Sequence, residues 1–274
     1  MAQPSRKLKP LPHKHVLYER AVQTPHHEAA FADRVYRRLN GRPASRLRED
    51  FCGTAAIACQ WVRRRRSNTA VGLDLHRPTL DWGATHHLAK LPANARQRVT
   101  LLNRSVLSPG PGTGSMDLIL ALNFSYWVFK DRPTLLRYFR SVHRSLARRG
   151  VFILDIYGGP DSLEELRERR TIGGRKRGFT YIWDQARVDH ITNETLCHIH
   201  FRFPDGRSIR KAFTYDWRIW TIPEVRDVLA DAGFSRTTVY WEGDDDRGGG
   251  NGVFRPQKHG EPGKAFIAYI VAQR

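Results

Sequence analysis

A chain of 274 residues, 40% hydrophobic and 11% aromatic, can bury the core of one elaborated α/β domain or of two small ones, which excludes a disordered protein. Its formal charge of +19 raises nucleic acid as a partner, but the arginines are scattered and a charge run is ordinarily a solvated face, so nucleic acid is possible without being favoured. Three cysteines without C-x-x-C spacing give neither a zinc site nor a disulfide framework, and no run approaches the ~18 apolar residues of a membrane span or the core of a signal peptide, so we expect a cytoplasmic monomer or homodimer with no membrane partner.

Residues 1–15 are basic and carry Pro4, Pro10 and Pro12, the composition of a flexible tail. Val16, Leu17, Val22, Phe31, Val35 and Leu39 then predict one or two helices broken at Pro25. From Arg46 a first strand runs through Glu49 and Asp50 into a tight turn, Phe51-Cys52-Gly53-Thr54-Ala55. Ala56, Ile57, Ala58, Trp61 and Val62 follow at helical spacing, and the run Arg63 to Arg66 falls where that helix should end and cations favour its dipole. Ala70 to Leu73 is a second strand, closed by Asp74. Strand, glycine turn, helix, strand and acid make half of a nucleotide-binding unit. Gly53 lets the backbone approach a ligand, the helix aims free N–H groups at it, and an acid about 20 residues on is placed to accept from both ribose hydroxyls. The glycines of a G-x-G-x-x-G dinucleotide fingerprint are absent, which disfavours NAD.

The stretch EDFCGTA resembles the first motif of class I S-adenosylmethionine-dependent methyltransferases, commonly an acid followed by LGCGTG, and GLDL resembles their second motif. Phe51 stands for the first glycine of that motif and Ala55 for the last. The resemblance implies that Glu49 lies near the amino group of the donor and that Asp74 holds its ribose. It extends the donor site to Phe51, Cys52, Gly53, Thr54 and Leu75. It also implies an N-terminal segment over the cofactor, where Tyr18 either touches the donor or is a core aromatic. The wording EDFCGTA, LNFSYW, FTYDWR and YWEGDDD is similar to that of a group of bacterial and plant methyltransferase-like proteins.

After Asp74, residues 78–91 read as a helix, Arg98 to Leu102 as a third strand and 108–115 as a surface loop. Where the family often reads glycine-aspartate after the third strand, this chain has Arg104 and Ser105, so Ser105 is left to offer one hydrogen bond to the adenine. Met116 to Leu122 is a continuous apolar fourth strand ending in Asn123-Phe124-Ser125-Tyr126-Trp127, where ligands meet in a doubly wound sheet. Amino-group methyltransferases carry Asn or Asp, two prolines and an aromatic here. NFSY keeps both ends and neither proline, so Asn123 either clamps an amine or caps the strand beside pocket-wall aromatics. Leu135 to Leu146 is an amphipathic helix and Val151 to Ile156 a fifth strand, with Asp155 and Tyr157 emerging at or just beneath the substrate side.

Alternation then replaces helical spacing. Phe179 to Trp183, Leu196 to Phe203 and Ser208 to Trp217 read as antiparallel strands, with a hairpin turn over 204–207. A helix capped by Thr221 and Glu224 runs to Gly233, and Thr237 to Trp241 and Ala265 to Val271 close the sheet around a polar loop, 242–263.

The expected fold is α/β, a doubly wound Rossmann-like methyltransferase sheet with an inserted antiparallel β lid. Its parts are an N-terminal tail with cofactor-covering helices (1–45), an S-adenosylmethionine-binding core (46–160), the lid (161–220), and a C-terminal helix with the last strands (221–274). The resemblance implies an S-adenosylmethionine-dependent methyltransferase with S-adenosylhomocysteine as product, and the lid favours a small-molecule acceptor. RNA or protein methylation, or a silent binding protein, are the alternatives. Donor contacts are expected from Tyr18, Glu49, Phe51, Cys52, Gly53, Thr54, Asp74, Leu75, Ser105 and Asn123. Acceptor contacts are expected from Tyr126, Tyr157, Trp183, Tyr215, Trp217 and Trp241, whose aromatics form a cation-holding box or simply pack the lid. Glu242 and Asp244 to Asp246 bind a cationic acceptor, supply a base, or form a solvated turn. No catalytic residue and no metal site stand out, and His198 and His200 read as structural.

Overall fold

A computed structural model of the chain describes residues 9–174, 177–245 and 249–274. Pro4 of the tail, and Asp246 and Gly248 of the final loop, lie outside the described residues.

The chain opens with α1 (Lys14–Ala21) and α2 (Pro25–Asn40). The expected break falls just before Pro25, which begins the second helix, since its fixed φ and missing N–H cost nothing in a first turn. Gly41, at φ 71°, ends α2. Next come β1 (Arg46–Asp50), α3 (Ala56–Arg64), β2 (Thr69–Asp74), α4 (Arg77–His86), α5 (Ala93–Arg96), β3 (Val99–Asn103) and β4 (Met116–Ala121). The helix expected from Leu135 starts earlier, as α6 (Arg132–Ser145), because the Asp131 carboxylate accepts from Thr134 N at 2.7 Å. It leads directly into β5 (Leu146–Gly158).

Four lid strands follow: β6 (Arg167–Ile172), β7 (Phe179–Val188), β8 (Glu194–Arg202) and β9 (Ser208–Arg218), paired antiparallel in that order. Three were expected. Arg167 to Ile172 is exposed at five of six positions, so β6 has no buried face to print an alternation on its sequence. The chain ends with α7 (Ile222–Asp231), β10 (Arg236–Asp244), β11 (Gly250–Gln257) and β12 (Phe266–Gln273). Thr221 and Glu224 form the expected capping box. The final polar loop hides a strand, β11, which pairs only with β10 and tolerates Pro256 because it is a sheet edge.

The main sheet runs β11-β10-β12-β5-β4-β1-β2-β3. Pairs from β3 to β5 are parallel, while β12 is antiparallel to both β5 and β10. Apolar side chains fill both faces: Phe31, Tyr36, Trp61 and Leu118 on the side of α2 and α3, and Tyr138, Phe139, Phe152 and Trp220 on the side of α6 and α7. A third core joins α1 to the lid through Leu17, Phe179, Ile199 and Phe201. The architecture is therefore the expected doubly wound α/β sheet with a separate antiparallel sheet. Among the described residues no helix is long and apolar enough to cross a membrane.

Candidate active site

Strand order reverses between β1 and β4, so their carboxyl ends diverge and open the crevice where doubly wound sheets bind ligands. On one flank stands the turn after β1. Phe51, Gly53 and Ala55 all have positive φ, at 55°, 52° and 56°. Phe51 and Ala55 thus adopt the left-handed backbone that a glycine takes without cost. The Phe51 ring is held against Phe129 and Tyr138, with centroids 5.9 and 5.6 Å away. Gly53 N donates to Asp74 Oδ2 at 2.8 Å, and His76 N to Asp74 Oδ1 at 2.7 Å, so both carboxylate oxygens are fixed at the end of β2. Gly83 of α4 lets that helix touch the turn: a Cβ there would lie 2.2 Å from the Thr54 carbonyl oxygen.

The acidic pair divides across the sheet. Asp50 forms a fully buried ion pair with Arg48 and accepts from the Tyr138 hydroxyl at 2.9 Å, a structural role. Glu49 is 5% exposed beneath the turn, with Oε2 accepting from Ala58 N at 2.8 Å. Burial pushes its pKa up to about 8. Cys52 is buried beside it as a free thiol, its pKa raised by burial. Leu75, by contrast, is 70% exposed next to Asp74. Ser105 Oγ accepts from Leu107 N at 3.2 Å, which makes it the cap of its own loop. Thr54 Oγ1 donates to Glu19 at 2.8 Å, and the same Glu19 oxygen meets His87 Nε2 at 2.6 Å, tying α1 across the turn.

On the other flank, over β4, β5, β12 and the lid, lies a cavity of about 730 Å³, ample for a small molecule. Its floor is the end of β4. Asn123 and Phe124 are both left-handed, at φ 58° and 56°, so their N–H groups point the same way. Both donate to the Asp155 carboxylate, at 2.7 and 2.8 Å. Burial nevertheless pushes the Asp155 pKa up to about 7, against the lowering effect of those two bonds.

Seven of the residues expected to touch donor or acceptor come together in this cavity, with Asp155, Glu242 and Asp244 beside them. Tyr18, Asn123 and Tyr157 line it beside Trp183, Tyr215, Trp217 and Trp241. Tyr215 and Trp217 stack with centroids 4.3 Å apart, and the buried Tyr18 hydroxyl bonds to Tyr215, which joins α1 to the lid. Tyr126 is corrected: it is 0% exposed, packed on Phe139 under the floor, because the short helical turn after Phe124 rotates it into the core. The other residues expected to contact a donor, Glu49, Phe51, Cys52, Gly53, Thr54, Asp74, Leu75 and Ser105, lie outside the cavity wall. His198 and His200 are buried in the lid, on Thr214 at 3.0 Å and Asp184 at 3.1 Å.

The sequence reading missed Glu28, which lines the cavity at 8% exposure. Burial and then the Asp155 charge push its pKa up to about 7. An acid in a helix's first turns ordinarily serves the helix dipole, so nothing in the sequence marks this one.

No protein-family model matches the chain, and no curated protein sequence matches it. Solved structures do. The SAM-bound amino pentose methyltransferase CalS10 of Micromonospora echinaspora, involved in calicheamicin biosynthesis, is 17% identical with a TM-score of 0.68, over 98% of this chain and 99% of that one. The sugar N-methyltransferase KedS8 of a Streptoalloteichus species is 18% identical with a TM-score of 0.65, over 100% and 98%. DesVI of Streptomyces venezuelae is 16% identical with a TM-score of 0.67, over 94% and 95%. The chain has the Rossmann-like fold of these methyltransferases along its whole length.

Proposed function

We propose that this protein is an S-adenosylmethionine-dependent methyltransferase whose acceptor is a small molecule held under the lid. The observation that carries the reading is the fixed Asp74 carboxylate. It sits at the end of β2 across from the Gly53 turn, at the same end of the sheet as a half-open cavity. The residues fit the donor: Asp74 offers a preset acceptor for ribose hydroxyls, exposed Leu75 an apolar surface beside it, and the turn before α3 a close backbone approach. When bound, S-adenosylmethionine supplies a methyl group made electrophilic by its sulfonium sulfur. The chain's own residues then have to position the acceptor and exclude water, which is what the Asn123–Phe124 floor and the aromatic lid do. That CalS10 is described as SAM-bound, and that it and KedS8 act on sugars, supports both halves of the reading.

Isothermal titration with S-adenosylhomocysteine, with NAD as control, tests the donor half. Binding of the first alone is expected; binding of neither would sink the proposal.

A further inference from the structure

The cavity's charge opposes that of the molecule around it. In a chain of formal charge +19, the wall carries six carboxylates, Glu28, Asp155, Glu168, Glu242, Asp244 and Glu261, against one guanidinium, Arg170, and one imidazole, His27, whose buried Nε2 also lacks a partner. Arg170 is committed elsewhere, donating to the Ala21 carbonyl at 3.1 Å and lying 4.8 Å over the Tyr181 ring. Such a wall repels a carboxylate or phosphate and concentrates cations.

Within it Glu28 stands apart. Asp155 is engaged by two backbone N–H groups, and Glu242 accepts from Gly252 N at 2.8 Å. Glu28 receives a hydrogen bond from the Thr24 backbone, but its Oε2, buried like the rest of the side chain, has no partner. A buried acceptor left open costs stability, and here the Asp155 carboxylate adds like-charge repulsion. A ligand bearing both N–H donors and positive charge relieves both at once. Trp183, Tyr215, Trp217 and Trp241 line the same wall, and aromatic rings attract cations. No residue between 46 and 74 lines the wall that Glu28 lines, although the Glu28 charge also reaches Glu49 beneath the β1 turn.

On the methyltransferase reading, we infer that the acceptor is an amine, held as its ammonium by the open Glu28 oxygen and the aromatic wall, and that its proton passes to that carboxylate before the nitrogen lone pair is free to react. An alcohol or phenol brings one donor and no charge, and leaves the carboxylate pair uncompensated.

Benzylamine and benzyl alcohol, alike in shape and different in charge, serve as probes on the full-length protein at about pH 8, where Glu28 ionises and the amine stays protonated. Titration is followed by tryptophan fluorescence, with and without saturating S-adenosylhomocysteine. Benzylamine is expected to bind at least tenfold more tightly than benzyl alcohol, and E28Q, isosteric and relieved of a buried charge, is expected to erase that preference while keeping its S-adenosylhomocysteine affinity. Equal binding of the two probes, or no binding of benzylamine at millimolar concentration, overturns the inference. So does an E28Q variant that loses S-adenosylhomocysteine affinity but keeps the amine preference, which assigns Glu28 to the donor. Wild-type protein that prefers the amine but binds no S-adenosylhomocysteine defeats the methyltransferase reading and leaves the amine site standing.

Discussion

The turn after β1 and the cavity beside it occupy the same end of one sheet, yet they are built in opposite ways. The turn is one continuous stretch from Arg46 to Asp74, and its decisive bonds, Gly53 to Asp74 and Glu49 to Ala58, join residues 21 and 9 positions apart. The cavity draws its wall from Tyr18 through Tyr269, and its unpaired acid comes from a helix far in sequence from the Asp155 that faces it. Left-handed backbone is common to both, at Phe51 and Ala55 in the turn and at Asn123 and Phe124 in the cavity floor. So are carboxylates kept out of water, Glu49 beneath the turn and Glu28 and Asp155 in the cavity wall. The difference teaches where a ligand's help is needed: the buried acid beneath the turn has its own partner in Ala58 N, whereas Glu28 in the cavity wall keeps an oxygen without one.

The largest expected effect tests the cavity floor. Asp155→Ala strips the partner from two left-handed N–H groups and should cost about 2–4 kcal/mol in a denaturant titration, with loss of the amine preference. A variant as stable as wild type would show that the floor holds itself.

Glu28→Gln should act in the other direction. A carboxyl whose pKa rises to about 7 on folding binds protons that the unfolded chain releases, so its stabilising contribution is full below about pH 4.5 and is lost as pH rises through about 7. The variant should therefore gain up to about 3 kcal/mol at pH 8 and nothing at pH 4, read from thermal melts across pH. An equal shift at both pH values would mean that ionisation is not the cause.

Asp74→Ala sharpens the contrast from the turn's side. Donor affinity should fall more than tenfold, about 1.4 kcal/mol or more, while the amine preference persists. Parallel loss of both would make turn and cavity one site. The smallest effect is Ala55→Gly. Relief of a left-handed alanine is worth about 1–2 kcal/mol and the added chain entropy costs about 0.4–1, so a net gain of about 0.5 kcal/mol is expected in chemical denaturation.

The turn was legible because its signals are local: a glycine, a helix pattern and an acid at fixed spacing. Capping chemistry was legible for the same reason, as Thr221 and Glu224 illustrate. Where burial leaves no pattern, reading failed. β6 exposes five of its six residues, and β11 hides in a polar segment with two glycines and Pro256, as only an edge strand can. Tyr126 read as cavity wall because it shares a motif with Asn123, but a single short helical turn sends its side chain the other way.

By itself the amino-acid sequence determined the doubly wound sheet, the antiparallel insertion and the glycine turn between β1 and α3, because periodicity, glycine placement and caps act over a few residues. Only the tertiary structure decided that six acids from five separated stretches share one wall in a strongly basic chain, and that Glu28 is buried there with an open oxygen. Burial and charge proximity are sums over everything nearby in space. Residues such as Glu28 and Asp155 meet only once α2 has docked on the sheet.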